Sequence, residues 1–308
     1  MRHVGAHNAI DQLKALVRAA LGYRLGQLVS HAPRDSNVLA RVNAPYQSQL
    51  RFSIVTPVRN QSPYIAASIE SIVNQQFLPL EYIVMDGGST DGTAEIVARY
   101  VDRLHYFESQ NDDGQADALN KGFAHGSGEI LGWLNGDDLL LPGSLEFVAR
   151  FFEAHPDVDV IYGDRVLINE QGLEVGQWLL PSHSDRVLSW VDYVPQETLF
   201  WRRRIWERVG STFDTSFHFA MDWDLLVRFR DAGARIQHIP RLLGAFRVHS
   251  AQKTSMSMAN LGAEEMSRIR TRCLGYVPSK TMQRLAVAPY VLRHIGRVWR
   301  NSASNLWG

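Results

Sequence analysis

Cysteine is almost missing from this chain: one residue, Cys273, in 308. An intrachain disulfide and a four-cysteine zinc site are therefore excluded, and a reducing compartment is expected. Long apolar runs are missing as well, since no stretch reaches the roughly 18 consecutive apolar residues of a membrane-spanning helix. Nor does an apolar run follow a basic stretch near the N-terminus, so no signal peptide is expected. No Gly-x-Gly-x-x-Gly follows the first expected strand, which tells against a dinucleotide-dependent oxidoreductase. Net charge is absent too, with 32 Lys and Arg against 32 Asp and Glu, but the balance hides a division. Residues 1–50 carry six basic side chains against two acidic ones, residues 51–265 eighteen against thirty, and residues 266–308 eight against none. The acidic body excludes nucleic acid as its partner, because backbone recognition needs basic surface. The basic tails suit anionic lipid, nucleic acid or the acidic body itself.

What is present is enough apolar material for a large core, 45% of a 34.8 kDa chain, which fits one domain or one and a half. A helix is expected near Ala9–Leu21, followed by an irregular polar segment to residue 50. Order is expected to begin with a short buried strand at Phe52–Thr56, closed by Pro57. Ser62 and Pro63 suit the N-cap and first position of a helix carrying Ile65, Ile69, Ile72 and Val73. Strands at 80–85, 104–107 and 130–134 then alternate with helices carrying Ala94, Ile96, Val97 and Tyr100, at 115–125 and at 143–153. Near-continuous apolar strands alternating with helices imply an α/β fold with a mostly parallel central sheet and helices on both faces. After Pro156 the rhythm changes to short strands at 158–162, 165–169 and 173–178, with a hairpin turn at Glu170–Gly172. Residues 183–210, rich in tryptophan, charge and proline, suit a pocket wall. A helix over 222–232 and strands at 236–239 and 242–246 complete the expected body.

The stretch from Tyr106 to Pro142 organises the rest. It ends in an apolar strand followed at once by Asn135-Gly136-Asp137-Asp138, so two carboxylates emerge where a buried strand runs out. In open α/β sheets ligands bind beyond the carboxyl ends of the strands, and clustered carboxylates suit a hard divalent cation already carrying phosphates.

Five motifs in order, Thr56-Pro57-Val58-Arg59-Asn60, the Asp86–Thr93 loop (DGGSTDGT), the Gly114–Gly122 block, Asn135-Gly-Asp137-Asp138 and Met221-Asp222-Trp223-Asp224-Leu225, resemble the family 2 glycosyltransferases. The resemblance spans about residues 52–250, and its specificity lies in the ordered set. It implies the GT-A nucleotide-diphospho-sugar transferase fold and metal-dependent transfer of a sugar with inversion at the anomeric carbon. It implies Asp137 as a ligand of Mn²⁺ or Mg²⁺, because the family's aspartate-any-aspartate motif here begins with Asn135. His249 resembles a family histidine that approaches the diphosphate or completes the metal shell. Thr56, Pro57, Asp86, Asp91, Asp117, Asn120, Asn135, Asp138 and Arg247 are the implied donor and substrate contacts. The family's frequent second aspartate after Asp86 is Gly87, so that contact is missing or comes from Asp91.

Asp222 is the implied base, acting without an acidic neighbour because Met221 stands where the family usually has one; Asp224 is expected to brace the local structure. Several of these residues equally suit plainer roles: Asp86 and Asp91 as turn and helix caps, Asp112 and Asp113 as an N-cap pair, His249 as a surface histidine. Trp190, Trp201, Trp206 and Trp223 suit either sugar stacking or the core. The expected organisation is an N-terminal extension over 1–50, a transferase domain over 51–250 and a basic amphipathic extension over 251–308. In the domain, residues 51–142 take the nucleotide-sugar and 143–250 form the acceptor side. The expected partners are a nucleotide-diphospho-sugar and a glycan or lipid-linked acceptor of bacterial surface assembly. The expected location is cytoplasmic, with the tail resting on the inner face of the plasma membrane. A non-catalytic nucleotide- or carbohydrate-binding protein on the same fold is the alternative.

Overall fold

Phe52–Val58 is an unbroken run of buried residues at the centre of the sheet, and the chain wraps both faces around it. The computed structural model describes residues 27–35, 44–250 and 261–304, so the helix expected at Ala9–Leu21 lies outside the described residues. The strands are β1 (Gln27–Arg34), β2 (Tyr46–Val58), β3 (Phe77–Asp86), β4 (Tyr106–Ser109), β5 (Ile130–Trp133), β6 (Leu139–Leu140), β7 (Val160–Ile168), β8 (Glu174–Leu179), β9 (Phe200–Arg202) and β10 (Ile236–Arg247). The helices are α1 (Ile65–Val73), α2 (Thr93–Ala98), α3 (Gln115–Ala124), α4 (Ser144–Ala154), α5 (Asp185–Leu188), α6 (Arg203–Arg208), α7 (Met221–Asp231), α8 (Ala263–Leu274) and α9 (Lys280–Ser304).

The sheet runs β1-β8-β7-β9-β5-β2-β3-β4, with β10 pairing β7 on its other side and β6 pairing β10. Its central block β5-β2-β3-β4 is parallel, as are β7 and β10. Strand β9 joins the two halves antiparallel to both β5 and β7. Side chains alternate across this sheet with the two-residue strand period. Val55, Ile83, Leu131 and Trp133 face a core shared with α3 and α7, while Ile54, Tyr82, Val84 and Ile130 face one shared with α1 and α4.

The structure departs from the expected elements where pairing overrides local signals. Pro57 does not close its strand: β2 continues to Val58, with Pro57 opposite Met85 and Val58 opposite Asp86. Helix α1 starts at Ile65, two residues after the expected first position at Pro63, behind a turn closed by Ile65 N–H donating to Gln61 O. The two short strands at 158–169 are one strand, β7, and those at 236–246 are one, β10, whose irregular register between His238 and Gly244 absorbs the polar interruption. The segment before residue 50 is not wholly an extension. Strand β1 adds an edge to β8, and His31 and Arg34 approach the buried Glu174 at 3.0 and 2.7 Å. The C-terminal segment also belongs to the body, since Ile269, Val287, Tyr290 and Val291 sit in the α7-side core.

Glu81 ties the start of the parallel block together. Its carboxylate accepts from Ser53 Oγ at 2.7 Å, from Ser127 N–H and Oγ at 2.6 Å each, and from Gly128 N–H at 3.1 Å. Burial pushes this carboxyl up, but the hydrogen bonds from Ser127 and Ser53 outweigh it and hold its pKa at about 2. The folded-state value lies below the unfolded one, so the stabilisation is complete above about pH 4.5 and is lost as the pH falls towards 2. A shift of this size is worth about 3 kcal/mol. Glu81→Gln is therefore expected to cost on the order of 3 kcal/mol at pH 7 and to flatten the dependence of stability on pH below 5. Denaturant unfolding at pH 7, 5 and 3.5 checks this, and parallel profiles for the two proteins would refute it.

Candidate active site

Beyond the carboxyl ends of β2 and β5 lies a cavity of about 630 Å³. Its sheet-end wall is Pro57, Val58 and the Asn135–Asp137 turn, and its far wall includes Asp192, Glu197 and Asp222. The turn can hug β2 because residue 136 is glycine: a Cβ there would stand 2.6 Å from Val58 Cγ2. Gly114, with φ near 110°, turns the chain into α3 and also lines the cavity.

Asp137 and Asp138 point apart. Asp138 is 1% exposed and accepts the Arg247 main-chain N–H at 3.0 Å, while Arg247 Nε donates to the Asp137 carbonyl at 2.8 Å. These bonds fix the end of β10 against the turn after β5. They bring His249, two residues on, to Asp137, with Nε2 and Oδ2 2.9 Å apart. Asp138 is thus an anchor under the site; burial, then the charges of Asp137 and Glu197, push its carboxyl well above the ordinary range. Arg247 is 3% exposed, gives NH1 to the carbonyls of Asn169 and Glu170, and lies over the Tyr64 ring. Its place is that of a brace under the turn.

Among the described residues no cluster of three or more His, Cys, Asp or Glu stands together as a closed metal cage. Asp137 lines the cavity with the buried His249 imidazole directly behind it, and a carboxylate backed by an imidazole is a fitting donor set for a divalent cation whose remaining positions are taken by diphosphate oxygens and water. Asn135 lines the same mouth, accepting from Gln115 Nε2 at 2.7 Å through its amide oxygen.

The remaining candidates divide. Asp86 is buried at the end of β3 and accepts from Ser89 N–H at 3.1 Å, from the Ser89 hydroxyl and from Ser109 Oγ at 2.6 Å. Asp91 caps α2, accepting from Thr93 N–H and Oγ1 and from Ser62 N–H. Burial raises its pKa, but the Thr93 and Ser62 hydrogen bonds prevail and lower it to about 2. Asp117 pairs with Lys121 at 2.7 Å, and Asn120 grips the Phe213 backbone through both amide atoms. Thr56 is fully buried against Tyr82, whereas its neighbour Pro57 faces the cavity. The cavity therefore gathers Pro57, Asn135, Asp137 and Asp222, with Asp86, Asp91, Asp117 and Asn120 holding the loops around it.

Asp112, an N-cap candidate above, and Asp192 and Glu197 also line the cavity. Asp112 lines the cavity and its carboxylate fills the space over Gly87, where an added Cβ would stand 2.5 Å from Oδ2. The carboxylate nearest Gly87 is that of Asp112, from the loop after β4. Asp192 shares the cavity with Asp222; burial, then the Asp222 charge, push Asp192 well above the ordinary carboxyl range. Glu197 pairs with Arg165 at 2.8 Å, and Arg165 is stacked between Trp178 and Phe246. None carries a local signal, since each acquires its setting from a distant segment. Trp201, Trp206 and Trp223 are core residues, and the tryptophans lining the cavity are Trp133 and Trp178.

Asp222 stands in the first turn of α7, its Oδ1 accepting the Trp223 N–H at 2.9 Å. Free N–H groups at a helix start favour an ionised carboxylate. Asp224, fully buried, pairs instead with Arg228 at 2.8 Å and Arg272 at 2.7 Å.

A parallel block with a glycine-permitted turn and an acidic cavity beyond its strand ends defines the GT-A class of nucleotide-diphospho-sugar transferase folds. The chain belongs to glycosyl transferase family 2, whose family model matches residues 53–221. It is 30% identical over 220 residues to an uncharacterized glycosyltransferase of Rickettsia typhi, covering 68% of this chain and 67% of that one. It is also 30% identical over 227 residues to the O-antigen biosynthesis protein RfbC of Myxococcus xanthus; that match takes in 70% of this chain but only 18% of the relative's length. Residues 1–349 of Staphylococcus aureus TarS with UDP-GlcNAc superpose with a TM-score of 0.61 at 19% identity, covering 80% of this chain and 73% of that fragment. The mannosyltransferase PcManGT of Pyrobaculum calidifontis, with GDP-Man and Mn²⁺, superposes with a TM-score of 0.57 at 19% identity, covering 94% and 85%.

The two aspartates of α7 are expected to separate cleanly on substitution. Asp222→Asn should lower turnover by about 10²- to 10⁴-fold with donor affinity unchanged. Asp224→Asn should cost roughly 3 kcal/mol of stability with a much smaller effect on turnover. Steady-state kinetics, donor titration and thermal melting of both variants decide it; wild-type turnover by Asp222→Asn would overturn the assignment.

Proposed function

We propose that the protein transfers a sugar from a nucleotide-diphospho-sugar to a hydroxyl acceptor, with inversion at the anomeric carbon. The observation that carries this reading is that Asp137, backed by His249 at 2.9 Å, and Asp222 line one and the same cavity. Asp137 and His249 would hold a Mn²⁺ or Mg²⁺ ion, which supplies positive charge to the departing diphosphate. Asp222 takes the acceptor hydroxyl's proton as that oxygen forms its bond to the anomeric carbon; the bond to the diphosphate breaks and the nucleoside diphosphate leaves. Asp192 shares the cavity with Asp222, and burial, then the charge of Asp222, raise the Asp192 carboxyl above the ordinary range. Asp86, Asp112 and Asn135 border the nucleoside and sugar, with Asp91, Asp117 and Asn120 fixing the loops that carry them.

The acceptor side is read as a glycan or lipid-linked acceptor in bacterial surface polysaccharide or glycolipid assembly. The names of relatives support it: the RfbC protein, and a Mycobacterium tuberculosis PGL/p-HBAD biosynthesis glycosyltransferase that is 29% identical over 181 residues. Met282, Leu285 and Leu292 on the outer face of α9 are exposed, as are Tyr276 and Val277 just before it, with Lys280 and Arg284 among them. No described helix is long and apolar enough to cross a membrane. This face supports peripheral contact with an anionic leaflet on the cytoplasmic side. Loss of pelleting with anionic vesicles in Leu285→Glu/Leu292→Glu is the expected result, and equal pelleting of that variant and wild type contradicts it.

A non-catalytic binding role is favoured only by Asn135, Gly87 and Met221, and the carboxylate of Asp112 beside Gly87 removes much of that support. The deciding experiment measures nucleoside-diphosphate release from UDP-, GDP- and dTDP-sugars with and without Mn²⁺. Release that requires Mn²⁺ and falls in Asp137→Ala is expected. Tight donor binding with no release under any acceptor would favour the binding protein.

A further inference from the structure

The family match ends at residue 221, yet the wall of the cavity does not: Met266, on α8, lines it beside Phe219 and Met221. The neighbour of Met266, Glu265, is 1% exposed and spends its whole carboxylate on the backbone leading into α7. Oε1 accepts the His218 N–H at 2.8 Å, and Oε2 accepts those of Phe219 at 2.8 Å and Ala220 at 2.9 Å. These donors have no partner within their own helix, because the first N–H groups of any helix and its approach lack one. A buried carboxylate bonded to three of them is a charge-assisted clamp, and it sits two residues before Asp222. Arg268, Arg270 and Arg272 on α8 reinforce it, reaching the Ser216 carbonyl and hydroxyl, the Trp190 carbonyl and Asp224.

We infer that Glu265 is a positioning residue for Asp222 and that α8 completes the acceptor side of the site. This rests on the transferase reading for its catalytic consequence, but the clamp itself does not. Glu265 fixes the 218–220 backbone, the backbone sets the first turn of α7, and that turn aims Asp222 across the cavity while Phe219 and Met266 close the wall. Acceptor entry therefore depends on a segment more than forty residues beyond the base, outside the matched region.

Glu265→Gln keeps the volume but turns one acceptor oxygen into an amine facing backbone donors. A second variant, Gly262→Ala, leaves the clamp intact: Gly262 has right-handed helical dihedrals that alanine accepts, but the new Cβ would stand 2.9 Å from the Phe219 ring. The expected result for Glu265→Gln is faster hydrogen exchange at the amides of residues 218–220, with turnover reduced about 10- to 100-fold and donor KM unchanged. For Gly262→Ala a reduced turnover is expected with hydrogen-exchange protection at residues 218–220 kept, since the displaced Phe219 ring lines the cavity while Glu265 is untouched; wild-type turnover by this variant would overturn the role of α8 in the site. A purely structural role would lower the melting temperature of Glu265→Gln and leave its kcat at low temperature unaltered, which overturns the inference. Should the wild type turn over no donor, the transferase reading falls, and the exchange data judge Glu265 alone: unchanged protection at 218–220 overturns the clamp.

Discussion

Everything at the donor end depends on the crossed pair of bonds between Arg247 and the two aspartates after β5. The Arg247 main chain gives its N–H to Asp138, and its guanidinium returns to the Asp137 carbonyl. A buried carboxylate with a raised pKa is tolerable there because a main-chain donor meets it. The consequence is geometric: the strand end of β10 is pinned to the turn of β5, and His249 arrives beside Asp137 although more than a hundred residues separate them. The same pinning turns Asp137 outward, since its neighbour is committed inward.

The far wall follows a different physics. Asp192, Glu197 and Asp222 share one cavity with Arg165, which pairs with Glu197 and lies over the Trp178 and Phe246 rings. Burial pushes Asp192 and Glu197 upward, and the charge of Asp222 adds to both. Like charges in one low-dielectric space do not all ionise together. The clamp of α8 on the backbone leading into α7 ties the C-terminal segment to this wall.

Much of this was legible in the sequence, for local reasons. Apolar runs of the right length gave the alternating strands and helices, and Asp137, just beyond the apolar Trp133-Leu134 strand end, lines the cavity. Asp117, Asn120 and Arg247 stand among the contacts the resemblance implies, and the sequence does not show that Asp117 pairs with Lys121, Asn120 with the Phe213 backbone, and Arg247 with three carbonyls and the Tyr64 ring. The strand at 27–34 escaped notice because its pairing with β8 is decided by residues about 150 positions away. Asp112 over Gly87 shows the same limit: a carboxylate from another loop occupies the space beside Gly87, which only the fold reveals.

The central claim is that the nucleotide diphosphate and a divalent cation meet at Asp137 and His249. Anomalous diffraction from crystals soaked with Mn²⁺ and either UDP or GDP tests it most directly. The account predicts one strong manganese peak at bonding distance from an Asp137 carboxylate oxygen, with the diphosphate against it in the cavity facing Asp222. A manganese site elsewhere, or a nucleotide bound away from the Asn135–Asp137 turn, would contradict it.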